Sequence, residues 1–320
     1  MAPAAMVRPI HIPVMLDEVV AALRPALSDT GAIVLDATVG MGGHAAALLD
    51  AFPDARLVGI DRDGEALAIA GERLAPFRNR VELIRARFDT LSAVMDELGI
   101  ARVQAVLFDL GLSSLQIDET SRGFSYAKDG PLDMRMDDRL ETSAVHIVNT
   151  WTAAELARIF RSYGEEPHAL RVAQAVVTAR SEAPILSTGR LVDVVASAMP
   201  AAIRFGSGGH PAKRVFQALR IAVNDELAAL AAALPAALSR VAVGGRVAVL
   251  SYHSLEDRLV KHAFRDAAKS RAPRHLPVVP ESLTPAFRLV DAVGPDPSEV
   301  AANPRAASAR LRVVTRIKEG

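Results

Sequence analysis

From residue 33 onward, short apolar runs that end in an acid alternate with helix-patterned stretches, and this alternation narrows the fold more than any other feature. Residues 33–36 read as a buried strand closed by Asp36 and a glycine turn, with a helix over 44–51. Residues 56–61 repeat the pattern, ending in Asp61, with a helix over 64–74. Residues 81–85 form a third strand, 90–98 a helix, and 103–109 a fourth strand ending in Asp109. Strands separated by helices pair in parallel, because a parallel pair needs a crossover connection rather than a hairpin. The expectation is an α/β fold built on a doubly wound, mostly parallel sheet.

The alternation then breaks. Residues 111–128 hold turn formers without clear period, and every apolar stretch from 143 to 199 is helical: 152–161, 168–179 and 187–198. Residues 212–238 read as one or two helices, and Gly244-Gly245 introduces a strand over 246–252. A last strand is expected over 311–317, and the Pro- and Arg-rich stretch 268–309 reads as a long loop. The simplest account is an α/β core over 1–119, an all-helical insertion over 120–210, and a return to the core over 211–320.

Composition excludes several classes. The 320 residues contain no cysteine, which removes disulfides, thiolate metal sites and a cysteine nucleophile. His11, His168 and His210 are too scattered to suggest a metal site, so none is expected. No apolar run approaches the roughly 18 residues of a membrane span, and residues 1–15 lack the pattern of a signal peptide, so a cytoplasmic chain is expected. The charge is uneven. Residues 1–160 carry 15 basic and 23 acidic side chains, and residues 161–320 carry 22 and 14. A polyanion partner on the second half and an arginine-rich composition both account for that split.

The turn Asp36-Ala-Thr-Val-Gly-Met-Gly-Gly-His44 places glycines where backbone approaches a ligand and starts a helix whose amides face the same place. Its spacing is not the G-x-G-x-x-G of a dinucleotide site, since Ala45 holds the last glycine's place. A carboxylate at Asp36 would repel pyrophosphate but suits an ammonium, such as that of S-adenosyl-L-methionine. Asp61 stands where a carboxylate grips a ribose diol. Phe88 with Asp89 offers a flat ring and an acceptor for adenine, and Asp109 ends the fourth strand beside the position of methyl transfer. Any one such acid is more simply a helix cap. Three acids at the ends of three of the four strands, on the edge where such sheets bind ligands, favour a site.

The sequence also resembles the bacterial ribosomal RNA small-subunit methyltransferase H family, also called MraW, over nearly its whole length. The motifs are His11-Ile-Pro-Val-Met-Leu-Asp-Glu18, Gly40-Met-Gly-Gly-His44, Gly59-Ile-Asp-Arg-Asp63, Phe108-Asp-Leu-Gly-Leu-Ser-Ser114, Asp129-Gly-Pro-Leu-Asp-Met-Arg-Met136, Arg214-Val-Phe-Gln-Ala-Leu-Arg220 and Ser251-Tyr-His-Ser-Leu-Glu-Asp-Arg258. Leu115 and Ala307 depart from the family's usual proline and arginine. The resemblance implies a class I methyltransferase with a helical insertion for substrate recognition, methylating cytosine N4 in 16S rRNA, within the small ribosomal subunit, and a homodimer is possible. It implies cofactor contacts at Gly42, Gly43, His44, Asp61, Phe88, Asp109 and Gln116. Asp109 is the catalytic candidate, as acceptor for the target amine; a backbone carbonyl near Leu110–Leu112 is the alternative acceptor, with Ser113 and Ser114 behind both.

The target base must be exposed, which makes Phe124, Tyr126 and Tyr252 stacking candidates. Arg214, Arg220, Arg258, Lys261, Arg265, Lys269, Arg271 and Arg274 are phosphate candidates, and His253 is a base, an RNA contact or a structural residue. Competing readings are an amino-methyltransferase acting on DNA, a nicotinamide-dependent dehydrogenase, and a non-catalytic RNA-binding protein. Leu110-Gly111-Leu112, where DNA enzymes commonly carry Pro-Pro-aromatic, counts against the first.

Overall fold

A computed structural model describes residues 13–200, 210–270, 272, 273 and 280–319. The chain divides into two compact units, one formed by Met1–Gly111 with Leu230–Gly320, the other by Leu112–Ala229.

The first unit is built on a seven-stranded sheet in the order β3-β2-β1-β4-β5-β7-β6. Its strands are β1 (Ile33–Asp36), β2 (Arg56–Asp61), β3 (Val81–Arg85), β4 (Val103–Asp109), β5 (Val241–Ser251), β6 (Phe287–Val293) and β7 (Arg310–Arg316). The first five pair in parallel, and β7 and then β6 add antiparallel at one edge. Side chains alternate across the pleat, so Val34, Ala105 and Leu107 enter one apolar core while Leu35, Val106 and Phe108 enter another. Burial on both faces is what a parallel sheet requires and explains the continuous apolar runs in β1 and β4. Helices α1 (Leu16–Leu27), α2 (Gly43–Ala51), α3 (Gly64–Arg73) and α4 (Leu91–Glu97) precede or link the first four strands.

Three features of this unit differ from the sequence pattern. Helix α1 was not expected; it buries Val19, Leu23 and Leu27. The stretch 268–309 is not one long loop, because it contains β6 and a short helix, α13 (Pro297–Ala302), numbered last in chain order. β6 is an edge strand and mostly exposed, so no alternating burial marks it in the sequence. Gly244 and Gly245 lie inside β5 rather than before it, where its pairing with β4 slips, and a Cβ on Gly245 would stand 2.6 Å from the Gln104 carbonyl oxygen.

The second unit is helical: α5 (Ser114–Asp118) comes first, and α6 (Ala144–Thr150), α7 (Ala153–Ser162), α8 (Ala169–Glu182), α9 (Thr188–Ala198) and α10 (Lys213–Asn224) surround one core. It is wider than residues 120–210. Val215, Phe216, Leu219 and Val223 of α10 belong to its core. Asn224, fully buried, accepts from the Met136 amide (2.8 Å) and donates to the Met134 carbonyl (2.7 Å). These contacts draw 211–224 into the helical unit. The chain re-enters the α/β unit along α11 (Glu226–Arg240), and α12 (Ser254–Ala267) follows β5. Among the described residues no single helix is long and apolar enough to cross a membrane.

Candidate functional site

The carboxyl ends of β1, β2 and β4 lie side by side where the strand order reverses, the place at which open α/β sheets hold ligands. Asp36 ends β1 and is 1% exposed. The Thr38 amide donates to its Oδ1 at 3.2 Å, starting the turn, and the Ala37 and Val39 amides bond to Leu107 and Ile60 on the flanking strands. Two different demands then select glycine. Gly42 has φ +77°, a left-handed backbone that side chains resist. Gly43 needs space, since a Cβ there would stand 2.5 Å from Cγ of Pro13. No side chain among the described residues caps α2, so its first-turn amides remain donors facing the strand ends.

Asp61 is tied to this turn. Its Oδ2 accepts from the Gly40 amide at 2.8 Å and its Oδ1 from the Asp63 amide at 2.9 Å. The cap of α3 is Asp63, not Asp61: the Asp63 carboxylate accepts from the Glu65 and Ala66 amides. Burial pushes Asp61 up to about 6 against the pull of those backbone donors, and burial pushes Asp36 up to about 7 although His44 opposes it.

Asp109 ends β4. Its amide donates to Thr38 Oγ1 at 2.6 Å, which locks β4 to the β1 turn. Its Oδ1 accepts from the Tyr252 hydroxyl at 2.7 Å, and its Oδ2 is 3.4 Å from His44 Nδ1. His44 Nε2 lies 3.0 Å from the Val14 carbonyl, which only accepts, so that nitrogen carries a proton. Burial opposes a charge on His44, but the hydrogen bond and charge of Asp109, helped by Asp36, outweigh it and raise the imidazole above its usual value. A histidine whose proton affinity is raised by Asp109 and Asp36 is an arrangement set up for a charged, polar ligand.

Phe88 follows β3 and packs edge-on against Phe108 with centroids 5.9 Å apart. Asp89 is gripped by Arg87 through two bonds of 3.1 and 2.8 Å. Gly42, Gly43, His44, Asp61 and Asp109 thus converge in the α/β unit. Gln116 belongs to the helical unit, where it is buried as the third residue of a capping box with Ser113.

The structure sorts the RNA candidates. Phe124 is part of the helical core. Tyr126 stacks on His210 at 4.7 Å. Arg220 is committed to Glu226 through two 2.8 Å bonds. Arg214, Arg258, Lys261, Arg265 and Lys269 are exposed, whereas Arg271 and Arg274 lie outside the described residues, as does His11. His253 is the N-cap of α12, in a capping box with Glu256. The contact that sequence reasoning missed is the one from Tyr252 to Asp109, since nothing in the sequence says that β5 lies beside β4.

The sheet order, the glycine turn and the strand-end acids define a class I methyltransferase, the α/β class whose cofactor is S-adenosylmethionine, and the buried acid beside a turn rich in amides fits that cofactor's ammonium, carboxylate and ribose. Comparison with known proteins agrees. The family model described as the MraW methylase family matches residues 8–317. Similar chains include the Ribosomal RNA small subunit methyltransferase H of Thermobifida fusca, 56% identical with 97% of this chain and 94% of that one covered. The proteins of the same name from Streptomyces avermitilis (53%, covering 97% and 98%) and Frankia alni (56%, covering 96% and 95%) are close to it in likeness. The chain belongs to the MraW methylase family.

Proposed function

We propose that the chain methylates N4 of a cytosine in 16S ribosomal RNA within the small ribosomal subunit. The relatives' name supports a small-subunit rRNA substrate. The observation that carries the chemistry is the Asp109 carboxylate, placed at the end of β4 and joined to the glycine turn through Thr38 and His44. In this reading the amides around Gly42 and Gly43, with His44, hold the amino-acid end of the cofactor, Asp61 holds its ribose, and Phe88 bounds its adenine side. The exposed basic residues of α12 support a polyanion substrate. The helical unit serves substrate recognition.

Bound there, S-adenosylmethionine supplies an electrophilic methyl group. The chain's own work is to prepare the amine. The lone pair of cytosine N4 is delocalised into the ring, so it must be oriented and a proton must be let go. Asp109 accepts a hydrogen bond from the amine, turning its lone pair toward the methyl position and providing an acceptor as positive charge develops on nitrogen.

Tritium from labelled S-adenosylmethionine, offered to small subunits, naked rRNA and DNA with nucleoside analysis of each, tests the substrate. N4-methylcytidine in small-subunit RNA is expected, and label on DNA or on another base overturns the reading. Asp109→Asn is expected to lower turnover at saturating cofactor by about a hundredfold or more, beyond any loss of cofactor affinity. Full turnover in that variant would remove Asp109 from the mechanism.

A further inference from the structure

We infer that Tyr252 is a positioning residue for the transfer: its hydroxyl fixes the plane of the Asp109 carboxylate and so sets the direction from which the acceptor amine is received. The inference rests on the reading above in which Asp109 faces the amine. β4 and β5 are parallel neighbours, with Asp109 paired to Leu250. Two residues further on, Tyr252 leaves β5 at the same sheet edge. Its amide donates to Glu256 Oε2 at 2.9 Å, which ties it to the first turn of α12. Its ring lies over Gly111, where a Cβ would stand 3.3 Å from Cδ2 and where φ is +96°. The backbone just past Asp109 is therefore shaped to receive this ring.

The hydroxyl has one role. It donates to Asp109 Oδ1 at 2.7 Å, a short bond to a charged acceptor. Burial, together with the charges of Asp109, Glu256 and Glu299, drives the phenol far above its usual range, so it remains a donor at every working pH. The terminal torsion of an aspartate is soft and roughly two-fold, so strand geometry alone does not orient the carboxylate. Tyr252 from the end of β5 and His44 from the start of α2 hold one oxygen each, and Thr38 holds the Asp109 amide. A carboxylate held at both oxygens, on a backbone fixed by Thr38, meets the amine without first reorganising.

Tyr252→Phe keeps the ring over Gly111 and deletes only the hydroxyl. Turnover of this variant on small subunits is expected to fall about tenfold to a hundredfold, the worth of one hydrogen bond to a charged group. KM for the subunit and affinity for S-adenosylmethionine are expected to stay within about twofold. The double variant with Asp109→Asn is expected to be no slower than Asp109→Asn alone, because the hydroxyl acts through that carboxylate. Wild-type turnover in Tyr252→Phe, a loss appearing in KM instead, or losses that multiply in the double variant would each overturn the positioning role. The KM outcome, with wild-type turnover, would make the Tyr252 hydroxyl a contact to the substrate instead. Full turnover in Asp109→Asn would instead overturn the reading on which this inference depends.

Discussion

Two buried strand-end acids of the α/β unit and two loop acids of the helical unit are handled in opposite ways. In the α/β unit, burial holds Asp36 at about 7 and Asp61 at about 6, at strand ends where negative charges crowd together. In the helical unit, Asp129 lies below the usual carboxylate range because the Gly189 amide and the Ser187 hydroxyl donate to it. Asp133 is lowered too: burial opposes this, but two bonds from Arg135 at 2.8 and 2.7 Å outweigh it. Where acids fasten loops, the fold makes their charge favourable. Where acids close strands beside the glycine turn, burial makes their charge costly, which is the usual mark of a working site.

The largest expected effect that sharpens this contrast is structural. Asn224 makes two buried bonds, to Met134 and Met136, and a part-buried one to Arg220, all within the helical unit. Asn224→Ala is expected to destabilise that unit by about 2–4 kcal/mol in chemical denaturation while leaving cofactor affinity unchanged. A cofactor defect as large as the stability defect would break the division of labour between the units.

A smaller effect has opposite signs in the two units. The carboxyl of Asp36 titrates higher in the folded chain than in the unfolded one, so its contribution is present below about pH 4 and lost as pH rises toward 7. Asp36→Asn, without cofactor, is therefore expected to gain on the wild type by about 1–3 kcal/mol between pH 5 and pH 8. Asp133 is lowered, so its contribution is present above the unfolded value and lost as pH falls through the folded one. Asp133→Asn is expected to lose about 0.5–1 kcal/mol at neutral pH, an amount reduced by solvent screening, and less in acid. Thermal unfolding of both variants across pH checks the pair of signs, and equal signs would dissolve the comparison.

Much of the α/β unit was legible because β1, β2 and β4 are apolar runs that close on an acid. β1 spans the four residues that the apolar run marks, and Asp36, Asp61 and Asp109 stand at the strand ends. The missing parts have physical reasons. The edge strand β6 is mostly exposed and carries no alternation. The boundary of the helical unit depends on Asn224 reaching back about ninety residues to 134–136, which no local pattern records. Gln116 came only from family resemblance, since its loop lacks periodicity. The tie between Tyr252 and Asp109 spans 143 residues and becomes visible only when β5 is laid beside β4.

The central claim is that the costly strand-end acids are the cofactor site, and Asp61 tests it most directly. Calorimetry would compare S-adenosylmethionine with its 2′,3′-dideoxyribose counterpart on the wild type and on Asp61→Asn. The account predicts about a tenfold to hundredfold loss of affinity for the native cofactor in the variant, and little or no loss for the dideoxy compound, which lacks the hydroxyls that Asp61 would hold. Undiminished affinity for the native cofactor, or an equal loss for both compounds, would contradict it.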